Sequence, residues 1–96
     1  MKQNDDMYQY PFRTAPKQVR LEVWNKGRAI PNEDPRVWRL DAYGTTIQFF
    51  QHGNTNSLFG WEIDHKTPVA YGGNGDLSNL QPLQWQNNRK KGDNVS

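Results

Sequence analysis

The chain has 96 residues, 33% of them hydrophobic, which suits one domain with one modest core and leaves no room for a second. It has no cysteine, which excludes disulfides and thiolate zinc sites, so any metal must sit on oxygen and imidazole ligands. A formal net charge of +2 does not by itself argue for nucleic acid, although twelve basic side chains leave scope for a local positive face.

The opening segment MKQNDDMYQYPF is polar and acidic, unlike a signal peptide, and no apolar run nears the roughly 20 residues needed to cross a bilayer. The expectation is a cytoplasmic protein with no membrane partner. Residues 1–13 show neither helical nor strand periodicity and read as a flexible arm that packs through Tyr8, Tyr10 and Phe12, with the folded domain over residues 14–96. Thr14 and Pro16 offer a helix start. Val19, Val23 and Trp24 then share one side of a helix predicted from Pro16 to Lys26 and stopped by Gly27.

After a loop marked by Pro31 and Pro35, Val37 to Leu40 and Thr45 to Phe50 read as a hairpin around the turn Asp41 to Gly44. His52 to Gly60 is loop, and Trp61 to Asp64 is a short strand that Pro68 keeps from running far. Tyr71 to Ser78 is again loop, Asn79 to Leu83 a strand antiparallel to the previous one, and Trp85 to Lys91 about two helical turns ended by Gly92. The four tryptophans, one in each of four segments, are expected to share the core.

The second half thus runs strand, long loop, strand, short helix, with Asp64 and His65 closing the first strand and Asn88 inside the helix. Over Gly60 to Asn94 the segments WEIDHKTPVAYGGNGDLSNLQPL and WQNNRKKGDN resemble the HNH endonuclease family in residue type, order and spacing. The family pattern is an Asp-His pair, an Asn fourteen residues after the His, and a His or Asn nine residues further on. Here those positions are Asp64, His65, Asn79 and Asn88. The resemblance implies an α+β domain: an N-terminal helix, a hairpin and a ββα-metal unit over residues 60–94. In it His65 activates water, Asp64 and Asn88 bind one divalent cation, and Asn79 braces the loop that aims His65.

Each role suits its residue. Imidazole can take a proton near neutral pH. A cation on Asp64 can neutralise a phosphate oxygen and the leaving oxygen. Adjacent residues of a regular strand face opposite ways, so Asp64 and His65 can share a site only where the strand ends or bends, as Pro68 allows. One carboxylate and one amide oxygen form a hard, sparse set that suits Mg2+ or Mn2+ better than zinc, with water and phosphate completing the shell. Lys66, Arg89, Lys90 and Lys91 surround these positions in sequence and are candidates for phosphate contact.

Taken singly, most of these features have plainer readings. An Asp-His dipeptide is usually a surface pair, and the four-point spacing is what singles this one out. His52, in the turn-like QHGN, reads as a solvated loop residue, and Gly72, Gly73 and Gly75 as a flexible loop without phosphate-loop spacing. Glu62 is expected to pair with a base such as Arg39, and Arg39 and Asp41 to be structural charges.

The resulting expectation is an endonuclease acting on DNA, double-stranded by preference, under Mg2+ or Mn2+, with no structural zinc because the cysteine pairs of many HNH proteins are absent; the resemblance implies products with 5′-phosphate and 3′-hydroxyl ends. Its rivals are a non-catalytic nucleic-acid-binding module and a ribonuclease. The sequence carries no dimerisation signal that would fix an oligomeric state.

Overall fold

The computed structural model describes residues 15–92. The arm expected over residues 1–13, the helix signal at Thr14 and everything from residue 93 onward lie outside the described residues.

Helix α1 spans Lys17–Trp24, with Pro16 as its N-cap and the Pro16 carbonyl accepting from Arg20 N–H at 3.0 Å. It ends two residues before the predicted Lys26. Asn25 still bonds back four residues to Leu21, but Lys26 and Gly27 bond back only three, to Val23 and Trp24, so the chain tightens into a turn. Gly27 then passes against Arg39, where an added Cβ would lie 3.1 Å from the Arg39 Cβ.

A three-stranded antiparallel sheet follows, in the order β1 (Arg28–Ala29), β2 (Trp38–Leu40) and β3 (Thr46–Gln48). The predicted hairpin is β2 and β3, with Arg39 opposite Ile47. Strand β1 is too short and too exposed to leave any periodicity in the sequence. β3 also ends sooner than predicted. Phe49–Gln51 curls into a 3-10 turn, turning Phe49 inward, where its ring lies 5.5 Å from Trp24 and 6.3 Å from Trp61.

The second sheet pairs β4 (Trp61–His65) with β5 (Leu80–Gln84) antiparallel, from Trp61 opposite Gln84 to His65 opposite Leu80. Pro82 is tolerated within β5 because a two-stranded ladder leaves one edge of that strand unbonded. Helix α2 (Trp85–Lys91) starts without a break from β5. The Gln84 side-chain oxygen caps it by accepting from the Gln86 and Asn87 amides, and Gly92 closes it at φ 53°. β5 touches α1, α2 and β3, so it joins the two halves of the molecule.

The core gathers Val23 and Trp24 of α1, Ile47 of β3, Trp61 and Ile63 of β4 and Leu80 of β5. Only Trp24 and Trp61, 5.4 Å apart, belong to it. Trp38 instead packs edge-on against Phe59, and Trp85 donates its indole N–H to the Ser57 carbonyl at 2.8 Å. His52, expected in solvent, is buried: its backbone bridges to Trp61, which draws its ring to 4.7 Å from the indole. The described residues therefore form a small α+β domain of two α-helices and two antiparallel sheets, and no helix among them is long and apolar enough to cross a membrane.

Asp41, in the β2–β3 turn, fastens the first sheet to the second. One carboxylate oxygen accepts from the Tyr43 and Thr45 amides, closing the turn, and the other accepts from the Gln84 amide and the Asn87 side chain at the β5–α2 junction. The residue is 2% exposed. Asp41→Ala strands four donors, two of them across the junction, and is expected to cost about 3 kcal/mol. A urea midpoint within error of wild type would overturn this.

Candidate functional site

Glu62 and Asp64 stand two residues apart on β4 and therefore share a face, the one that meets α2. Both are buried, Glu62 fully. Burying a carboxylate is costly unless it is paired and hydrogen-bonded, and α2 supplies the partners. Glu62 accepts from the Asn88 side-chain amide at 2.7 Å and from the Arg89 guanidinium at 2.7 Å. Asp64 accepts from the Lys91 ammonium at 3.2 Å and, on its other oxygen, from the side chain of its cross-strand neighbour Gln81 at 2.9 Å.

This lacing brings Asn88 beside the end of β4. Asp64, His65 and Asn88 line one cavity of about 260 Å³, with Pro68, Val69 and Ala70 forming an apolar side. Asp64 and His65 reach the same space because β4 ends at His65. Partial burial holds the His65 imidazole below its ordinary value of 6.5; the Asp64 charge pulls it back up and the Lys91 charge pushes it down again. The ring is thus biased towards its neutral form, able to accept a proton.

Asn79 does not line this cavity. Its side-chain oxygen accepts from the Thr67 amide at 2.9 Å, and its amide nitrogen donates to the carbonyls of Thr67 and Asn74 at 3.1 and 2.7 Å. The loop from β4 to β5 is therefore tied to its own base just after His65. Its glycines serve that tie: Gly72 takes φ 90°, and a Cβ on Gly73 would lie 1.7 Å from the Thr67 carbonyl oxygen.

The four basic candidates separate. Lys90 is exposed, beside Phe59 and Leu58 in a groove away from His65. Arg89 keeps a half-exposed guanidinium while bonding Glu62. Lys66 is exposed but opens into a different cavity from His65. Lys91 departs from its expected place at the phosphate-facing surface: its side chain is 1% exposed, and its ammonium holds Asp64 and the His65 carbonyl. The physical reason is Asp64, which would otherwise be a buried, uncompensated charge.

Glu62 pairs with Arg89 instead of Arg39, because its face of β4 meets α2 and not the hairpin; Arg39 donates to the carbonyls of Pro35 and Gly27. The roles of Glu62, Gln81 and Lys91 in holding Asn88 and Asp64 escaped sequence reasoning. The one available signal was the spacing of Glu62 and Asp64 by two on a strand.

No family model, curated protein or solved structure matches the chain.

The donor set fits a hard divalent cation in chemistry, if sparsely. Each Asp64 oxygen accepts one hydrogen bond and keeps a second lone pair. The Asn88 nitrogen is committed to Glu62, which leaves its carbonyl oxygen as the atom available to a ligand. Among the described residues no three His, Asp or Glu side chains cluster as a ready-made metal site. The Lys91 ammonium, already on Asp64, offsets part of the attraction a second cation would feel.

Lys91→Met removes one partner of a buried pair and is expected to cost about 3 kcal/mol, with Asp64→Asn added to it recovering most of the loss. Urea unfolding of both variants measures the coupling. A double variant no more stable than Lys91→Met alone would mean that the pair does not hold α2 in place.

Proposed function

We propose that the chain is a metal-dependent endonuclease of the HNH type that hydrolyses phosphodiester bonds of DNA, with β4, β5 and α2 as its ββα-metal unit. The observation that supports this most directly is the meeting of the adjacent Asp64 and His65 with Asn88, more than twenty residues further along the sequence, at a single cavity. An acceptor imidazole, a carboxylate and an amide oxygen are the groups that water activation beside a bound cation calls for.

His65, biased towards the neutral form by burial, takes the proton from the attacking water. Asn79 acts at one remove, by fixing the loop that follows His65. Asp64 and Asn88 would hold Mg2+ or Mn2+ through oxygen, Asn88 with its amide turned by Glu62. Bound there, the cation would supply charge stabilisation for the phosphate and the leaving group. Arg89 and Lys90, exposed in the last turn of α2, contact backbone phosphate and set the position of the strand without reading bases. A cytoplasmic location and double-stranded DNA as the substrate go with this reading.

Supercoiled plasmid in Mn2+ tests it. Nicking is expected with wild type, abolished by chelator and reduced about 10² to 10⁴-fold in His65→Ala. Tryptophan fluorescence should keep its folded spectrum in chelator, because the fold rests on the tryptophan core and the α2 clamp and not on a structural zinc. Plasmid that is bound but never nicked would leave a non-catalytic binding module in its place, and faster cutting of RNA in parallel assays would reassign the substrate.

The pH profile gives a separate check. A base with a lowered pKa remains neutral to lower pH, so the midpoint of the acid fall in rate should lie below 6.5, the ordinary imidazole value. A midpoint at or above 6.5 would mean that the group titrating is not a His65 held below its ordinary value.

A further inference from the structure

A second cavity, of about 220 Å³, brings Lys26 and Arg28, at the junction of α1 and β1, together with Lys66. The Lys26 ammonium is held in place by the carbonyls of Leu80, at 2.8 Å, and Leu77. Its charge is disfavoured first by partial burial and then by the nearby Lys66 ammonium. Like charges gathered this way raise each other's energy unless an anion joins them.

Among the described residues the protein provides no such anion. The one acidic residue in the wall is Asp41, whose two carboxylate oxygens already receive four hydrogen bonds from Tyr43, Thr45, Gln84 and Asn87. None of Lys26, Arg28 and Lys66 takes part in an ion pair among the described residues. The cavity holds several times the roughly 30 Å³ share of one water molecule, which is room for a tetrahedral oxyanion. An Arg fork beside two ammoniums suits phosphate oxygens.

The two cavities adjoin. Gln81, in the wall of this one, donates to Asp64, in the wall of the other, and Lys66 directly follows His65. We infer that the Lys26, Arg28 and Lys66 cavity binds a backbone phosphate of a DNA strand that continues past the Asp64, His65 and Asn88 site. The identity of the polymer rests on the nuclease reading; the affinity of the cavity for a phosphate group does not.

Binding of a fluorescent DNA duplex by the full chain in chelator, measured across a salt series, tests this without any cleavage. Arg28→Glu with Lys66→Glu is expected to weaken binding at least about tenfold more than two equally charged reversals elsewhere, Lys17→Glu with Arg36→Glu. It should also make the slope of log K against log salt shallower by about 0.9 for each phosphate that the protein no longer neutralises. Arg28, Lys66, Lys17 and Arg36 are all exposed, and far-ultraviolet circular dichroism checks that each variant is folded.

Equal weakening by both pairs would reduce the effect to net charge and overturn the proposal, as would a wild-type chain that binds no duplex. Inorganic phosphate shifting the Gly27 and Lys66 amide resonances, with duplex affinity unchanged by Arg28→Glu and Lys66→Glu, would assign the cavity to free phosphate and also overturn it. Duplex binding that depends on Arg28 and Lys66, in a protein that never cuts, would uphold this inference while removing the nuclease reading.

Discussion

Two carboxylates on one face of β4 cannot stay buried without partners, and supplying those partners fixes where α2 lies. Glu62 takes Asn88 and Arg89, one turn or less from Lys91 on Asp64. Removing either acid's partner leaves a charge in a water-poor place, with a penalty several times that of an exposed ion pair. The helix is only Trp85–Lys91, too short to be stable alone, so these contacts and the Gln84 cap determine whether it forms. The cavity is a by-product of that clamp, because the residue that donates a hydrogen bond to Glu62 on one side is Asn88, which borders the cavity on the other.

The clamp would be of little use on a mobile β4, and β4 is held from two directions. Trp61 and Ile63 enter the core against Trp24 and Ile47, while the ladder with β5 carries the strand to the Asp41 junction. Aromatic side chains let a chain with few aliphatic residues bury enough apolar area, and the pairing of Trp24 with Trp61 and Phe49 shows how few are needed when they meet in one place. The other two tryptophans, Trp38 of β2 and Trp85 of α2, hold the loop before β4, Trp85 through its indole N–H on Ser57 and Trp38 edge-on against Phe59.

What the sequence disclosed follows the range of the forces involved. Helix α2, the turn at Asp41 and the strands flanking the glycine loop depend on near neighbours, and Gly92, the Asp41–Gly44 turn residues and Pro68 mark them. Boundaries slipped where tertiary contacts outweigh local preference, as when Phe49 turns into the core and shortens β3. The Asp64, His65 and Asn88 grouping was legible as spacing, and Asn79 as a residue of a type that braces loops. Illegible was how buried charge would be balanced. Lys91 looked like another member of a basic run, and nothing local says that the third residue after Asn88 must turn inward to meet Asp64. His52 was misread for the same reason: its burial depends on a bridge to Trp61, on the far side of the intervening loop.

The Lys91–Asp64 pair also constrains the nuclease reading from within. An ammonium 3.2 Å from the carboxylate keeps the apo site neutral and stable, and by the same Coulombic argument makes it a poor cation site in isolation. Under that reading, a cation arriving together with a phosphate would bring its own counter-charge, so the electrostatic penalty from Lys91 would be largely cancelled when substrate bound. Metal and substrate affinity would then be coupled, each raising the other by the same factor, as linkage requires. In such a site stability without ligand and weak metal binding without substrate would have one cause, the buried lysine.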